Sequence, residues 1–359
     1  MIYKQSVFEP WPIESETIQA ICTSPPYFAL RKYAIPDVII GGNKDCKHEF
    51  EIVTKRAGGG TNGTVGNNID TRIHYEAQSG ICLKCRSYKG QYGLEPTPQM
   101  YVEHTRLWAK EAWRVLKNDG VLFLNLADSY SGGGRGYGGK SEYLIGNGAQ
   151  NPKLDYPNKC QLLIPPRVAI ALVDGGWTLR NKIIWYKSNA MPESVTDRFS
   201  KKYEYIFMFT KQEKYYFDLD SVRETIITKN RAGIREKYNS KFNDNDEAKN
   251  QTSLSKARQL KRSLGLPEGH INGKNPGDVW VIPTQPSSEK HYALWPERLV
   301  ERMVRCSTKA GDIVLDPFAG SATTLKVAEQ LNRKGIGIDL GYHEISKRRT
   351  GKIQKEMFV

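Results

Sequence analysis

Short apolar runs alternate along this chain with segments of helical periodicity, and that alternation leaves few architectures open. Runs suited to strands close at turn signals at 18–22, 121–126, 177–186, 203–210, 312–315 and 335–338. Helical patterns lie between them. One opens at Thr97 and Pro98, carries Tyr101, Trp108, Ala112, Val115 and Leu116 on one side, and stops at Asn118-Asp119-Gly120. A second follows Pro165 and Pro166 and ends at Gly175 and Gly176, a third starts near Pro296, and a fourth follows Gly320. Alternation of this kind predicts a doubly wound α/β core, a mostly parallel sheet with helices on both faces. A chain of 359 residues is expected to build one large core that carries insertions.

Two stretches break the rhythm. Residues 43–92 contain RAGGGTNGTVGNN between two groups of cysteines and read as an insertion with little core of its own. Residues 223–275 hold twelve Lys and Arg against six acids and few large apolar side chains, so this stretch is either a partner-binding segment or a solvated loop. The core is then made by 1–42 and 93–222 with 276–359. The formal charge of +14 favours a polyanionic partner, nucleic acid first and an anionic membrane surface second. No apolar stretch approaches the roughly 20 residues of a membrane span, and MIYKQSVFEPW lacks the apolar middle of a signal peptide. A cytosolic location follows as an expectation, with no membrane partner.

In such a compartment six cysteines are no disulfide framework, and clustered ones more often bind metal. Cys82 and Cys85 form a Cys-x-x-Cys half-site, and Cys46 with His48 supplies a Cys-x-His pair on the other side of the insertion. Four such ligands suit a structural zinc that staples the glycine-rich stretch, with His74 as the spare ligand. A closed four-ligand site leaves no position for catalysis. Cys22, Cys160 and Cys306 read as ordinary buried thiols.

Near the C-terminus, DIVLDPFAGSATT is a strand, a small-residue turn and a helix start. Gly320 lets a ligand approach the backbone, and the helix beyond presents free N–H groups and a positive dipole end. The Lys-Ser/Thr pair of a phosphate loop is missing. Asp339 ends the next strand, where a sheet of this type hydrogen-bonds the ribose hydroxyls of an adenosine group. Together the two features predict a nucleoside cofactor. Phe318 either packs on its adenine or fills the core.

The run 18–22 leads into Thr23-Ser24-Pro25-Pro26-Tyr27. Consecutive prolines remove two donors and fix two φ angles, so the turn is stiff and rich in carbonyls. Together, TSPPY and DPFAGSATT resemble the S-adenosylmethionine-dependent DNA amino-methyltransferases, in the order that places the catalytic motif before the cofactor motif. LEPTPQMYVEH, LFLNLADSY, GWTLRNKIIWYKSNAMPESVTDR, YEYIFMFTK, DVWVIPTQP and HYALWPERLV are similar to that family as well, and the likeness spans most of 15–345. It implies a Rossmann-like methyltransferase fold. Residues 1–42 and 93–222 would form the catalytic half, 276–359 the cofactor-binding half, and 223–275 the target-recognition region.

The resemblance assigns catalysis to Ser24, Pro25, Pro26 and Tyr27. It assigns S-adenosylmethionine to Asp316, Phe318, Gly320, Ser321, Thr323 and Asp339, with Asp128, Thr284 and Pro296 lining the pocket. Physically, an exocyclic amine is a poor nucleophile because its lone pair is delocalised, so positioning must do most of the work. The Pro25 carbonyl and the Ser24 oxygen can accept its N–H bonds, and Tyr27 offers a face for a base drawn out of the duplex. Within the family a serine before the two prolines resembles the cytosine-N4 class, with adenine N6 as the alternative. Arg231, Arg235, Lys237, Arg258, Lys261 and Arg262 are the expected contacts to double-stranded DNA, mainly to its phosphates. A cognate restriction endonuclease is an implied partner. Ala322, where the family commonly has glycine, motivates a competing reading as a DNA-binding protein without turnover. An RNA or protein substrate is a third reading.

Overall fold

The computed structural model describes residues 1–56, 74–131, 156–224, 273–285 and 295–341. The chain falls into two compact units, Met1–Phe217 with Asp278–Val359, and Asp218–Gly277.

The larger unit is built on an eight-stranded sheet. Its strands are β1 (Ile2–Tyr3), β2 (Ile18–Thr23), β7 (Leu116–Leu126), β8 (Thr178–Tyr186), β9 (Tyr203–Thr210), β10 (Val279–Val281), β11 (Ile313–Asp316) and β12 (Lys334–Ile338). They lie in the order β1-β12-β11-β2-β7-β9-β8-β10. Only β9 runs against its neighbours; every other pairing is parallel. All six residues of β2 are buried, as the near-continuous apolar run of a strand covered on both faces requires. Leu122, Leu124 and Leu126 of β7 join the main core cluster, while the intervening Val121, Phe123 and Asn125 are buried on the opposite face.

Among the described residues four helices cover the sheet: α1 (Pro98–Val115), α2 (Ile164–Asp174), α3 (Glu297–Ser307) and α4 (Thr323–Gln330). They pack as two pairs, α1 with α2 and α3 with α4. Helix α1 starts as its sequence predicts: the Thr97 hydroxyl accepts from the Met100 amide at 3.2 Å, and Pro98 fills the first turn. It stops at Val115, before the expected Asn-Asp-Gly signal, because Leu116 turns extended and begins β7. Strands β1 and β10 add to the expected set, since two or three residues carry no readable alternation.

A second, antiparallel sheet occupies the insertion, with β3 (Val38–Ile40), β4 (Phe50–Arg56), β5 (His74–Cys82) and β6 (Tyr88–Gly90) in the order β3-β6-β5-β4. It begins ahead of residue 43, and its base is part of the main core through Ile40, Tyr88 and Tyr92. In the smaller unit the described residues form a 3-10 turn at Asp220–Val222 and a bridge between Glu224 and Lys274. Arg231, Arg235, Lys237, Arg258, Lys261 and Arg262 lie outside the described residues. Among the described residues, no helix is long and apolar enough to cross a membrane.

Candidate active site

Strands β2 and β11 are hydrogen-bonded neighbours running the same way, with Leu315 opposite Ile21. Their C-terminal ends therefore open on the same edge of the sheet, which is where ligands of doubly wound folds bind. The two sequence motifs meet there. Thr23 and Asp316 are 293 residues apart, and the Thr23 hydroxyl donates to Asp316 Oδ1 at 2.8 Å. Asp316 also accepts from Thr324 Oγ1 at 2.8 Å and from the Phe318 amide at 3.0 Å. One carboxylate thus ties the end of the first motif's strand to the turn and helix of the second. Burial pushes its carboxyl up to about 6, against the lowering effect of the bonds from Thr324, Thr23 and Phe318.

A single cleft joins the motifs. Ser24 and Pro26 line it together with Asp316, Phe318, Gly320, Ser321, Thr323 and Asp339, and Val7, Phe8, Ile35, Val38 and Ile338 give it apolar walls. The Phe318 ring packs in the core, 5.7 Å from the Tyr92 ring and 5.4 Å from that of Trp108, and it also lines the cleft. Asp339 sits across the turn, accepting from the Gly320 amide at 2.9 Å and the Gly341 amide at 2.8 Å. Ala322, the N-cap of α4, is left-handed at φ 60° and ψ 31° and fully buried. Alanine pays a steric penalty in that conformation, since its Cβ crowds the following carbonyl.

The proline turn is pinned from two sides. Tyr101, fully buried on α1, donates its hydroxyl to the Pro26 carbonyl at 2.9 Å. Gly93, at φ +94°, passes so close that a Cβ there would lie 3.0 Å from Pro26 Cβ and 3.1 Å from the Tyr27 carbonyl oxygen. Pro25 itself is buried.

Below the turn lies a polar network. The Tyr27 hydroxyl lies 2.6 Å from Asn125 Oδ1 and 2.7 Å from Glu204 Oε2, and Ser24 Oγ lies 3.2 Å from the Tyr27 hydroxyl and 3.4 Å from Asn125 Oδ1. Trp295 Nε1 donates to Asn125 Oδ1 at 3.0 Å, and Asn125 Nδ2 donates to the Tyr205 carbonyl at 2.9 Å. Lys187 pairs with Glu204 and stacks over the Trp185 ring at 4.5 Å. Burial, then the neighbouring Glu204 charge, push the Tyr27 phenol well above its ordinary range. Asn125, Lys187, Glu204 and Trp295 all fall in segments that carry the family likeness, yet the sequence marks none of them, because a single residue in a strand or connecting segment does not reveal its partners.

Three expected pocket residues have other surroundings. Asp128 accepts from the Ile164 amide at 3.0 Å, the Ser129 amide at 2.9 Å and Gln161 Nε2 at 2.8 Å, so its carboxylate serves the start of α2. Thr284 is bonded to Asn189 through its amide, hydroxyl and carbonyl. Pro296 is buried as the N-cap of α3, beside the cleft residue Trp295. None of the three is among the residues that line the cleft.

In the second sheet, Cys46, His48, Cys82 and Cys85 converge, with one ligand atom from each and all within 4.8 Å of one another. The Cys46 and Cys82 sulfurs are 3.9 Å apart, and Cys85 Sγ is 3.5 Å from His48 Nδ1. A tetrahedral zinc with Zn–S of about 2.3 Å and Zn–N of about 2.0 Å spaces its ligand atoms by roughly 3.5–3.8 Å, so the donor set fits that ion. A disulfide would need the sulfurs at about 2.05 Å.

A family model described as DNA methylase matches residues 18–348. The Type II methyltransferase M.Cfr9I of Citrobacter freundii is 35% identical over 254 residues, covering 70% of this chain and 70% of that protein. M.SmaI of Serratia marcescens is 32% identical over 266 residues, covering 72% and 77%. Among solved structures, the fold is similar to that of the cytosine-N4-specific PvuII DNA methyltransferase, with a TM-score of 0.54 at 17% identity over 99% of this chain and 89% of that one. TTHA0409 of Thermus thermophilus, solved in complex with S-adenosyl-L-methionine, gives a TM-score of 0.50 at 17% identity over 98% and 93%.

Proposed function

From the premise that this chain belongs to the DNA methylase family, we propose that it methylates the exocyclic N4 amine of cytosine in double-stranded DNA, with S-adenosylmethionine as the donor. The observation that carries the reading is the shared cleft: Ser24 and Gly320, from motifs at opposite ends of the chain, line one cavity. When bound, the cofactor supplies a methyl group already activated by its sulfonium. The cleft fits such a group, with apolar walls and the Phe318 ring for an adenine, the Asp339 carboxylate for ribose hydroxyls, and the small-residue turn of Gly320, Ser321 and Thr323 for close backbone approach.

The chain's own part is to bind and orient. Ser24 Oγ and the Pro25 carbonyl accept the two N–H bonds of the target amine, and the stiffness of the two prolines keeps the acceptors from swinging away. Tyr27 meets the base drawn out of the duplex. The basic stretch 223–275 supplies phosphate contacts through Arg231, Arg235, Lys237, Arg258, Lys261 and Arg262. Cys46, His48, Cys82 and Cys85 hold a structural zinc. The choice of cytosine rests on Ser24 and on the cytosine-N4 specificity of the PvuII enzyme, and the Type II methyltransferase relatives suggest a modification role beside a restriction endonuclease.

The deciding experiment digests DNA treated with the protein and labelled S-adenosylmethionine to nucleosides and identifies the modified one by mass. N4-methylcytosine is expected. N6-methyladenine would move the target to the alternative base, and labelled RNA or protein with unlabelled DNA would overturn the assignment.

A further inference from the structure

We infer that Glu204, held by Lys187, is a positioning residue that sets the direction of the hydrogen bonds beneath Ser24, making Ser24 a one-way acceptor that selects an amino base over an oxo base. The inference rests on the methyltransferase reading of the same site.

A hydroxyl both donates and accepts, so Ser24 alone could serve an N–H donor or a carbonyl acceptor equally well. Its surroundings remove that freedom. Glu204 is ion-paired with Lys187, and its side chain is 12% exposed, so as a carboxylate it can only accept. Asn125 also presents only an acceptor: Trp295 Nε1 can only donate and faces Oδ1, while Nδ2 is occupied by the Tyr205 carbonyl, and both contacts would be lost on flipping the amide. Two obligate acceptors therefore face two hydroxyls, Tyr27 and Ser24. The single Tyr27 proton has both acceptors in reach, Asn125 Oδ1 at 2.6 Å and Glu204 Oε2 at 2.7 Å, and the charged carboxylate is the stronger of the two. With its proton so engaged, the Tyr27 oxygen is left to receive the Ser24 proton at 3.2 Å, with Asn125 Oδ1 as the second receiver at 3.4 Å. Both protons are drawn away from the cleft. Of this group Ser24 and Trp295 line the cleft, so what Ser24 offers there is lone pairs. An exocyclic amine finds an acceptor, whereas a carbonyl at the same position would meet lone pairs, a mismatch that leaves buried polar groups unpaired.

Replacing Glu204 by glutamine reverses the polarity. Its amide N–H can donate to the Tyr27 oxygen, which turns the Tyr27 proton to Asn125 and leaves Ser24 without a firm receiver. The test first uses wild-type protein to find the site and base it methylates in random-sequence DNA; no transfer there would sink the methyltransferase assignment itself. Duplexes carrying that site are then prepared with the amino base or its oxo counterpart, uracil for cytosine or hypoxanthine for adenine, and their affinities are compared. Flipping costs are common to all variants, so the change in the affinity ratio reads the site.

Glu204→Gln is expected to shift the ratio about tenfold toward the oxo base and to lower kcat at least tenfold, with S-adenosylmethionine affinity within about twofold of wild type. An unchanged ratio, or equal weakening toward both duplexes, would overturn the inference and leave Glu204 a structural role only. If Glu204→Gln loses cofactor binding, Lys187→Met decides instead: without the cation that holds it, the Glu204 carboxylate is no longer fixed against the Tyr27 hydroxyl, so the ratio must shift the same way. A ratio that stays at the wild-type value would overturn the inference.

Discussion

At the residue scale, Asp316 shows how one buried group serves architecture. Its carboxylate joins Thr23, Thr324 and the Phe318 amide, so its removal should loosen the meeting of the two motifs. Because burial raises its carboxyl to about 6 from the ordinary 3.8, the folded chain binds a proton more tightly there than the unfolded chain. Its contribution to stability is therefore full below about 3.8 and is lost as pH rises through about 6. Measured by urea unfolding, the stability of wild type relative to Asp316→Asn should fall by roughly 2–3 kcal/mol between pH 4 and pH 7. A difference that is flat with pH would contradict the raised carboxyl. Ala322 yields a second expectation. In a helix interior, glycine is about 1 kcal/mol worse than alanine, but at φ 60° the left-handed penalty of roughly 1–2 kcal/mol works the other way. Set against roughly 0.8 kcal/mol for the lost buried methyl, Ala322→Gly should be neutral or stabilising by up to about 1 kcal/mol, read from the urea midpoint. The alanine is thus a tolerated strain and gives no support to a fold that has lost its ligand.

At the scale of elements, the sheet decides what the helices and loops can do. Strand β9 alone runs against its neighbours, and it carries Glu204, while the parallel β7 carries Asn125. The pairing of Asn125 with Ile206 places Glu204, two residues earlier on β9, on the same sheet face. The small sheet is a different case. Its base shares the main core, but its outer end brings together three thiols and an imidazole whose mutual spacing suits one metal ion. The purified protein should therefore carry about one zinc per chain by elemental analysis. Chelation or Cys82→Ser should release it and lower the thermal midpoint by roughly 5–10 °C, since metal binding and folding of such a site are linked. A purely structural role for the ion predicts that methyl transfer measured at low temperature changes far less than the midpoint.

At the scale of the whole molecule, charge governs association. A surplus of 14 positive charges over the chain, six of them within 223–275, predicts DNA binding that weakens steeply with salt. Neutralising Arg258, Lys261 and Arg262 together should flatten the slope of log affinity against log salt by about 3, at roughly 0.9 per lost phosphate contact. An unchanged slope would place the duplex elsewhere.

The amino-acid sequence determined the architecture of this protein because its signals are local. The period of apolar residues, the Thr97-Pro98 helix start and the paired prolines act through their own backbone, and the strand at 203–210 was legible residue for residue. The cysteine spacing was legible as well, since two short half-sites suffice to suggest a metal. What only the tertiary structure decided is which polar groups share a proton. Asn125 and Glu204 lie on different strands, Lys187 just beyond a third and Trp295 just before a helix, and no periodicity links them. By the same cause, Asp128 bonds the start of α2 and Thr284 bonds Asn189, and neither lines the cleft, because a side chain takes whichever partners strand order brings within about 3 Å, and strand order is a property of the closed sheet.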